Sequence, residues 1–203
     1  AERYRIDALV GMGGMGAVYS AWHLAINRRV AVKILQPNIA ILDERMVTLF
    51  EREAKTAGSL VHENIANVLD AGRTSDGIAY LTMEWIDGGS LDDDLLTAPR
   101  LGLVRIADLL RQIASALDTA HAAQIVHRDL KPANVMVTTD AAGRTRLKIV
   151  DFGIAKALSD VTQTARSIVT GTPSYASPEH LSGGVVDARS DIYSLGVMLF
   201  RML

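Results

Sequence analysis

The hydrophobic positions change period along the chain, from short strand-like runs to longer helical repeats. Short runs rich in apolar and β-branched residues, separated by polar turns, predict strands at 4–10, 17–22, 30–34, 67–72 and 78–83. Apolar residues spaced by three and four over 43–60 predict one helix among these strands. The clearest helical pattern comes later, at 103–124. The chain is therefore predicted to be α+β, with an antiparallel sheet and one main helix first and mostly helices afterwards.

The segment Glu84–Ser90, which contains an acidic pair and two glycines, predicts a linker between these two parts. We expect a strand-rich domain over 1–86 and a mostly helical domain over 87–203. The segment 191–196 is expected to open the last helix of the second domain, with Asp191 near its N-terminus.

Composition narrows the classes of function. The 203 residues are 49% hydrophobic and 22% charged with a net charge of −2, so no general attraction to nucleic acid or to an anionic membrane is expected. The lack of cysteine excludes a disulfide framework and a thiolate zinc site. No apolar run approaches the ~20 residues of a membrane span. We expect a cytoplasmic segment. Because its last residues stop inside an apolar helical pattern, we also expect a longer parent protein, in which a membrane anchor is left open.

The loop at 125–134 concentrates reactive groups directly after an apolar pair. Pro132 disfavours a helix here, so the loop has a restricted shape. Asp129 could accept a proton from a substrate hydroxyl, and Asn134 could offer its amide oxygen to a hard cation. The competing interpretation is a solvated charged turn.

A glycine-rich segment lies between the first two predicted strands. Gly11, Gly13 and Gly16 would let backbone amides approach a phosphate closely. Dinucleotide-binding folds use the same spacing, but they need a helix after the glycines and an acid about 20 residues later. Here a strand follows and the acid is missing, which favours a glycine-rich loop that joins two strands and covers phosphates.

Lys33 lies between apolar neighbours on a predicted strand. A buried ammonium without a partner is costly, so we expect an acidic partner. Glu53 lies on the apolar face of the predicted helix, whereas Glu51 lies on another face. Lys33 and Glu53 together would form an ion pair that holds phosphates.

A predicted hairpin, with strands at 135–137 and 147–150, leads to Asp151-Phe152-Gly153. Asp151 and Asn134 would supply two hard oxygen ligands, which suit magnesium held together with nucleotide phosphates. His62 and His121 are interpreted as structural histidines.

These segments resemble the catalytic domain of eukaryotic-type Ser/Thr protein kinases, and bacterial members most of all, including the mycobacterial transmembrane kinases. Residues 127–134 match the catalytic loop H-R-D-L-x-x-x-N, 151–153 match D-F-G, and 177–179 are similar to A-P-E. The resemblance covers essentially the whole chain in the correct motif order. It implies a bilobal kinase fold with a C-lobe that is incomplete here, and ATP with Mg²⁺, or Mn²⁺ as the alternative ion.

The resemblance also implies roles for particular residues. Lys131 would meet the γ-phosphate, a mark of Ser/Thr rather than tyrosine kinases, and Thr172 would bridge to Asp129 and Lys131. Protein segments with Ser or Thr acceptors are the implied partners, and homodimerisation during activation is left open. The implied adenine-site residues, with Met83 as gatekeeper, are Val18, Ala31, Met83, Glu84, Ile86 and Met136.

Residues 154–170 have no sustained period and are rich in Ser and Thr. The run around Thr162 and Thr164 resembles the doubly phosphorylated loop of the mycobacterial kinases, so we expect autophosphorylation there. Arg128 and Lys156 could converge on such a phosphate.

Two other functions compete with a Ser/Thr kinase. One is a nucleotide-binding scaffold or pseudokinase module with weak catalysis, and the other is a small-molecule phosphotransferase of kinase-like fold. Retention of every catalytic-loop and D-F-G residue argues against the first. The segment 171–179 argues against the second, because it belongs to peptide-substrate handling. Departures from the family pattern are small, although Glu179 is expected to lack its usual arginine partner.

Overall fold

The computed structural model describes residues 3–13, 16–35, 44–152 and 173–203, and the side chains of a few of these residues, Glu53 among them, are not described. The chain divides into two compact units. The first contains Ala1–Ser59 and Asn67–Trp85, and the second contains Leu60–Ala66 and Ile86–Leu203. In the described part of the chain, no helix is both long and apolar enough to cross a bilayer.

The first unit is built on a five-stranded antiparallel sheet in the order β1-β2-β3-β5-β4. One helix, α1 (Glu44–Gly58), packs against β4 and β5. This arrangement confirms the predicted antiparallel sheet with one main helix. The strands are β1 (Tyr4–Met12), β2 (Gly16–His23), β3 (Arg28–Leu35), β4 (Val68–Arg73) and β5 (Ala79–Glu84).

Strand alternation divides the residues of this sheet between two faces. On one face, Val30 and Val32 of β3 are buried against Ala21, with Tyr4 and Tyr80 packed around them. The intervening positions of β3 point to the other face, because side chains alternate along a strand. The alternation therefore places Lys33 opposite this small core.

The second unit has a three-stranded sheet, four α-helices and two short 3-10 helices among the described residues. The 20-residue helix α3 buries its apolar stripe, including Ile106, Leu109, Ile113 and Leu117, in the main core. The strands are β6 (Gly89–Ser90), β7 (Val135–Thr139) and β8 (Thr145–Ile149), and the helices are α2 (Leu91–Thr97), α3 (Leu103–Ala122), α4 (Pro178–Leu181) and α5 (Ala188–Met202).

Residues 60–66 belong to the second unit because a buried amide network holds them there. The Asn64 side chain donates to Gln112 Oε1 at 3.0 Å and to the Leu147 carbonyl at 2.9 Å. Gln112 Oε1 also accepts from the Leu147 backbone N–H at 3.1 Å. Ile149 N–H donates to the Asn64 carbonyl at 2.8 Å, which extends the sheet edge of β8.

Two elements differ from the sequence-based expectation. Helix α2 was not predicted, although Ser90 and Asp93 form a capping box at its start. Helix α5 begins at Ala188, with Asp187 as N-cap, and so starts before the predicted segment; Asp191 lies in its first turn, near the N-terminus as expected. The hairpin of β7 and β8 is confirmed.

Candidate active site

The predicted catalytic loop holds the Asp129 carboxylate between two donors. Lys131 Nζ lies 2.8 Å from Asp129 Oδ2, and Asn134 Nδ2 lies 3.3 Å from the same oxygen. Asn134 Nδ2 also donates to the Asp129 carbonyl at 2.8 Å. The side chain of Asp129 is 25% exposed, so it is held in position and still open to a ligand. The structure thus brings together three of the predicted residues, Asp129, Lys131 and Asn134.

His127 supports this loop from inside the protein. Its ring is fully buried, and Nδ1 accepts the backbone N–H of Asp129 at 3.2 Å. Because Nδ1 is an acceptor, the ring proton lies on Nε2, which donates to the Val150 carbonyl at 3.2 Å. Burial lowers the pKa of His127 and keeps the imidazole neutral. The ring also packs 4.7 Å from that of Phe152.

Asp191 anchors the backbone of the loop from α5. The carboxylate is 1% exposed and accepts the backbone N–H groups of His127 at 2.8 Å and Arg128 at 2.9 Å. It also lies 2.7 Å from His121 Nε2, which confirms that His121 has a structural role. Arg128 has a φ of 64°, a left-handed conformation that costs a non-glycine residue about 1–3 kcal/mol. The anchored N–H groups hold that conformation.

The anchoring role of Asp191 was not predicted from the sequence. The available signal was a carboxylate in the first turn of a helix, where the helix dipole favours an anion. The loop residues it binds are more than 60 positions away, and no local pattern connects them.

Asp151 and Asn134 are linked through the backbone of the second unit. Val150 N–H, one residue before Asp151, donates to the Asn134 carbonyl at 2.9 Å. Asp151 has a φ of 57°, a second left-handed residue at the candidate site. Since Asn134 Nδ2 donates to Asp129, its Oδ1 is the amide atom that can face a cation. A carboxylate and an amide oxygen are ligands that fit Mg²⁺.

In the first unit, strand register places four predicted nucleotide-site residues on one face of the sheet. Val18 pairs with Lys33, and Ala31 pairs with Met83. Directly opposite residues of antiparallel strands share a face, and Ala31 and Lys33 are two positions apart on β3. Glu84 N–H donates to the Asn67 carbonyl at 3.0 Å, so an adenine contact by Glu84 would use its carbonyl oxygen.

The three glycines of the glycine-rich segment, Gly11, Gly13 and Gly16, differ in whether the structure leaves space for a side chain. A Cβ atom at Gly16 would overlap the Ile34 carbonyl oxygen of β3, so packing alone demands glycine there. A Cβ at Gly11 would meet no atom within 4 Å, and one at Gly13 would meet only Gly16 O, at 3.9 Å. Gly11 and Gly13 are therefore not required by their described neighbours, which fits a surface kept small for a ligand.

For the remaining predicted residues, the structure gives only burial or the element in which they lie, or does not describe them. Ile86 and Met136 are half-buried residues of the second unit, with Met136 on β7. Glu53 lies in α1, but its side chain is outside the described residues, as are Thr162, Thr164 and Thr172. The Lys33–Glu53 pair and the loop contacts thus stay predictions.

Two acidic residues have partners that bear on the sequence analysis. Glu51 Oε1 lies 2.6 Å from Arg73 Nε, in agreement with the expectation that Glu51 is not the partner of Lys33. The expectation that Glu179 is unpaired was incomplete, because Ser190 Oγ donates to its carboxylate. This bond lowers the pKa of Glu179.

The known proteins that this chain resembles are protein kinases. The family model described as "Protein kinase domain" matches residues 4–203. The serine/threonine-protein kinase Pkn3 of Myxococcus xanthus is 41% identical over 208 residues, covering 100% of this chain and 38% of Pkn3. The serine/threonine-protein kinase PrkC of Bacillus subtilis is 41% identical, covering 99% of this chain and 30% of PrkC. The crystal structure of the Mycobacterium tuberculosis PknI kinase domain matches with a TM-score of 0.77 and 31% identity, covering 98% of this chain and 73% of that one. The chain spans about a third of the length of these curated relatives.

Proposed function

The chain belongs to the protein kinase family, and we propose that it transfers the γ-phosphate of ATP to Ser or Thr hydroxyls of protein substrates. The observation that carries the proposal is the Asp129 carboxylate, held by Lys131 and Asn134 on a loop anchored by Asp191. Phosphoryl transfer depends mainly on positioning and charge neutralisation, and this arrangement supplies both.

The transfer step assigns one task to each group of the loop. The substrate hydroxyl oxygen forms a bond to the γ-phosphorus, and the bond from that phosphorus to the β–γ bridging oxygen breaks, leaving its electron pair on ADP. The hydroxyl proton passes to the Asp129 carboxylate. Lys131 Nζ, 2.8 Å from that carboxylate, would contact the γ-phosphate and neutralise part of its charge, and Thr172 would bridge Asp129 and Lys131.

The proposed lobes are 1–86 and 87–203, and the break between Trp85 and Ile86 supports this division, although 60–66 group with the second unit. The phosphates would lie under Gly11, Gly13 and Gly16 and against Lys33 paired with Glu53. Adenine would lie among Val18, Ala31, Met83, Glu84, Ile86 and Met136. Asn134 and Asp151 would hold Mg²⁺, or Mn²⁺, which when bound neutralises phosphate charge.

Activation would follow autophosphorylation of Thr162 and Thr164 within a homodimer. Measuring the oligomeric state before and after incubation with ATP and Mg²⁺ would test the homodimer. A phosphothreonine brings nearly two negative charges and can form charge-assisted bonds to arginine. Arg128 would be one such partner, since Asp191 holds its backbone in a fixed conformation.

A test separates the kinase from a nucleotide-binding scaffold. The purified protein is incubated with γ-labelled ATP, Mg²⁺ and a protein acceptor, followed by phosphoamino-acid analysis, while ATP affinity is measured in parallel. Wild type should label Ser or Thr. Asp129→Asn should lose at least ~100-fold in transfer and keep ATP affinity, because Asp129 contacts the hydroxyl and not the nucleotide. ATP binding without transfer by wild type would favour the scaffold, and an Asp129→Asn variant with near wild-type turnover would refute the assignment of the base.

A further inference from the structure

A groove on the second unit, outside the candidate active site, is lined by arginines. It lies between the start of α3 and the β7–β8 turn and has a volume of about 700 Å³. Four arginines line it, Arg105 and Arg111 from α3 and Arg144 and Arg146 from β8 and its preceding turn. Val104, which is 87% exposed, lies at the same helix start. The groove therefore combines guanidinium groups with an apolar surface.

Each arginine is oriented by a carboxylate of the chain itself. Arg105 Nη2 lies 2.5 Å from Asp94, and Arg111 Nη2 lies 2.9 Å from Asp108. Arg144 Nε and Arg146 Nε both contact Asp140 Oδ2, at 2.8 and 3.1 Å. A guanidinium has five N–H donors, so these contacts fix each side chain without using most of its donors.

The internal carboxylates decide which anion the groove favours. The backbone N–H of Arg144 holds the pKa of Asp140 well below its usual range, so this carboxylate stays ionised. A carboxylate from a ligand carries one negative charge, like the internal carboxylates that the arginines already contact, so it would have no advantage over them. A phosphate group brings nearly two charges and three acceptor oxygens, and it can bridge the donors that the internal contacts do not use.

An exposed apolar side chain beside the arginines favours a peptide over a free anion. Val104, which lines the groove, is 87% exposed, and a free phosphate cannot cover it. A phosphorylated side chain flanked by apolar residues can contact both.

We propose that this groove binds a phosphoserine or phosphothreonine segment of a protein. The inference rests on the proposed function in one respect, because a Ser/Thr kinase generates phosphoserine and phosphothreonine. It gives the chain a docking site for phosphorylated partners, separate from the residues assigned to phosphate transfer.

Fluorescence anisotropy with a labelled ten-residue peptide tests the proposal without ATP. The peptide carries one phosphothreonine between apolar residues, and its threonine version is the comparison. The phosphopeptide should bind at least ~10-fold more tightly, because charge-assisted bonds to arginine are the stronger kind. Equal binding of both peptides would overturn the proposal. Displacement by inorganic phosphate or by single-stranded RNA at the same concentration as the phosphopeptide would also overturn it, showing a general anion or nucleic-acid surface.

Arg111→Gln and Arg144→Gln are suitable variants because both side chains are about two-thirds exposed. Their carboxylate partners keep other donors, Gln112 for Asp108 and Arg146 for Asp140, so folding should be preserved. Each should weaken the phosphopeptide by ~5-fold or more.

Arg189→Gln is the matched control, since Arg189 is 90% exposed and lies on α5, outside the groove. It should change affinity less than ~2-fold, and an equal loss in the control would overturn the proposal. Transfer to an unphosphorylated acceptor should stay at the wild-type rate in all three variants. If wild type binds phosphopeptide but transfers nothing, the proposed catalytic function fails and the groove assignment stands.

Discussion

Asp191→Asn tests whether one buried carboxylate holds the catalytic loop. Asp191 Oδ2 accepts from His127 N–H at 2.8 Å and lies 2.7 Å from His121 Nε2, while Oδ1 accepts from Arg128 N–H at 2.9 Å. An asparagine keeps one acceptor oxygen and turns an NH₂ group toward the third donor. Losing one charge-assisted bond costs about 1.5–3 kcal/mol, and weakening the other two brings the total to about 2–4 kcal/mol.

Urea and thermal unfolding of wild type and variant measure this loss. For a chain of this size, the expected free-energy change lowers Tm by about 5–15 °C. Because the φ of 64° at Arg128 is no longer anchored, Asp129 should also lose its fixed position. Turnover at saturating ATP should therefore fall, with little change in ATP affinity.

Asp187→Asn is the control, since Asp187 precedes the same helix and its side chain is 43% exposed. It should lower Tm much less, because an exposed cap is solvated in either form. If Asp191→Asn unfolds at the same urea concentration as Asp187→Asn, the three hydrogen bonds do not carry the stability assigned to them.

The other predictions concern the glycine segment, the buried histidine and the metal ligands. Gly16→Ala should lower Tm because its Cβ overlaps backbone, whereas Gly11→Ala should leave Tm unchanged and weaken ATP binding; equal Tm losses would contradict this. Because burial lowers the pKa of His127 below its unfolded value, its contribution to stability is complete above about pH 6.5 and is lost as pH falls further. His127→Gln should therefore reduce the loss of unfolding free energy between about pH 6.5 and pH 5, measured by urea titration, and an unchanged loss would refute the reasoning. Asp151→Asn should reduce the Mg²⁺ dependence of ATP affinity more than Asn134→Ala, because a carboxylate carries a full charge and an amide does not; identical Mg²⁺ titrations would contradict this ranking.

Local chemistry explains what could be predicted of the candidate site. Pro132 and the reactive groups around it are adjacent in sequence, so the loop was recognisable before its contacts were known. The alternation of β3 likewise separated Val30 and Val32 from Lys33. The unpredicted helix α2 had only a capping box as a signal, because it is too short to show a convincing period.

The sequence by itself determined the α+β class, the order of the longer strands and helices, and the identity of the reactive loop, because hydrophobic period and turn chemistry act over a few residues. Only the tertiary structure decided how that loop is held. Asp191 reaches His127 and Arg128 across more than 60 residues, and Asn64 reaches Leu147 across 83. Such bonds form because buried polar groups must find partners, and which partner is near depends on how the whole unit packs.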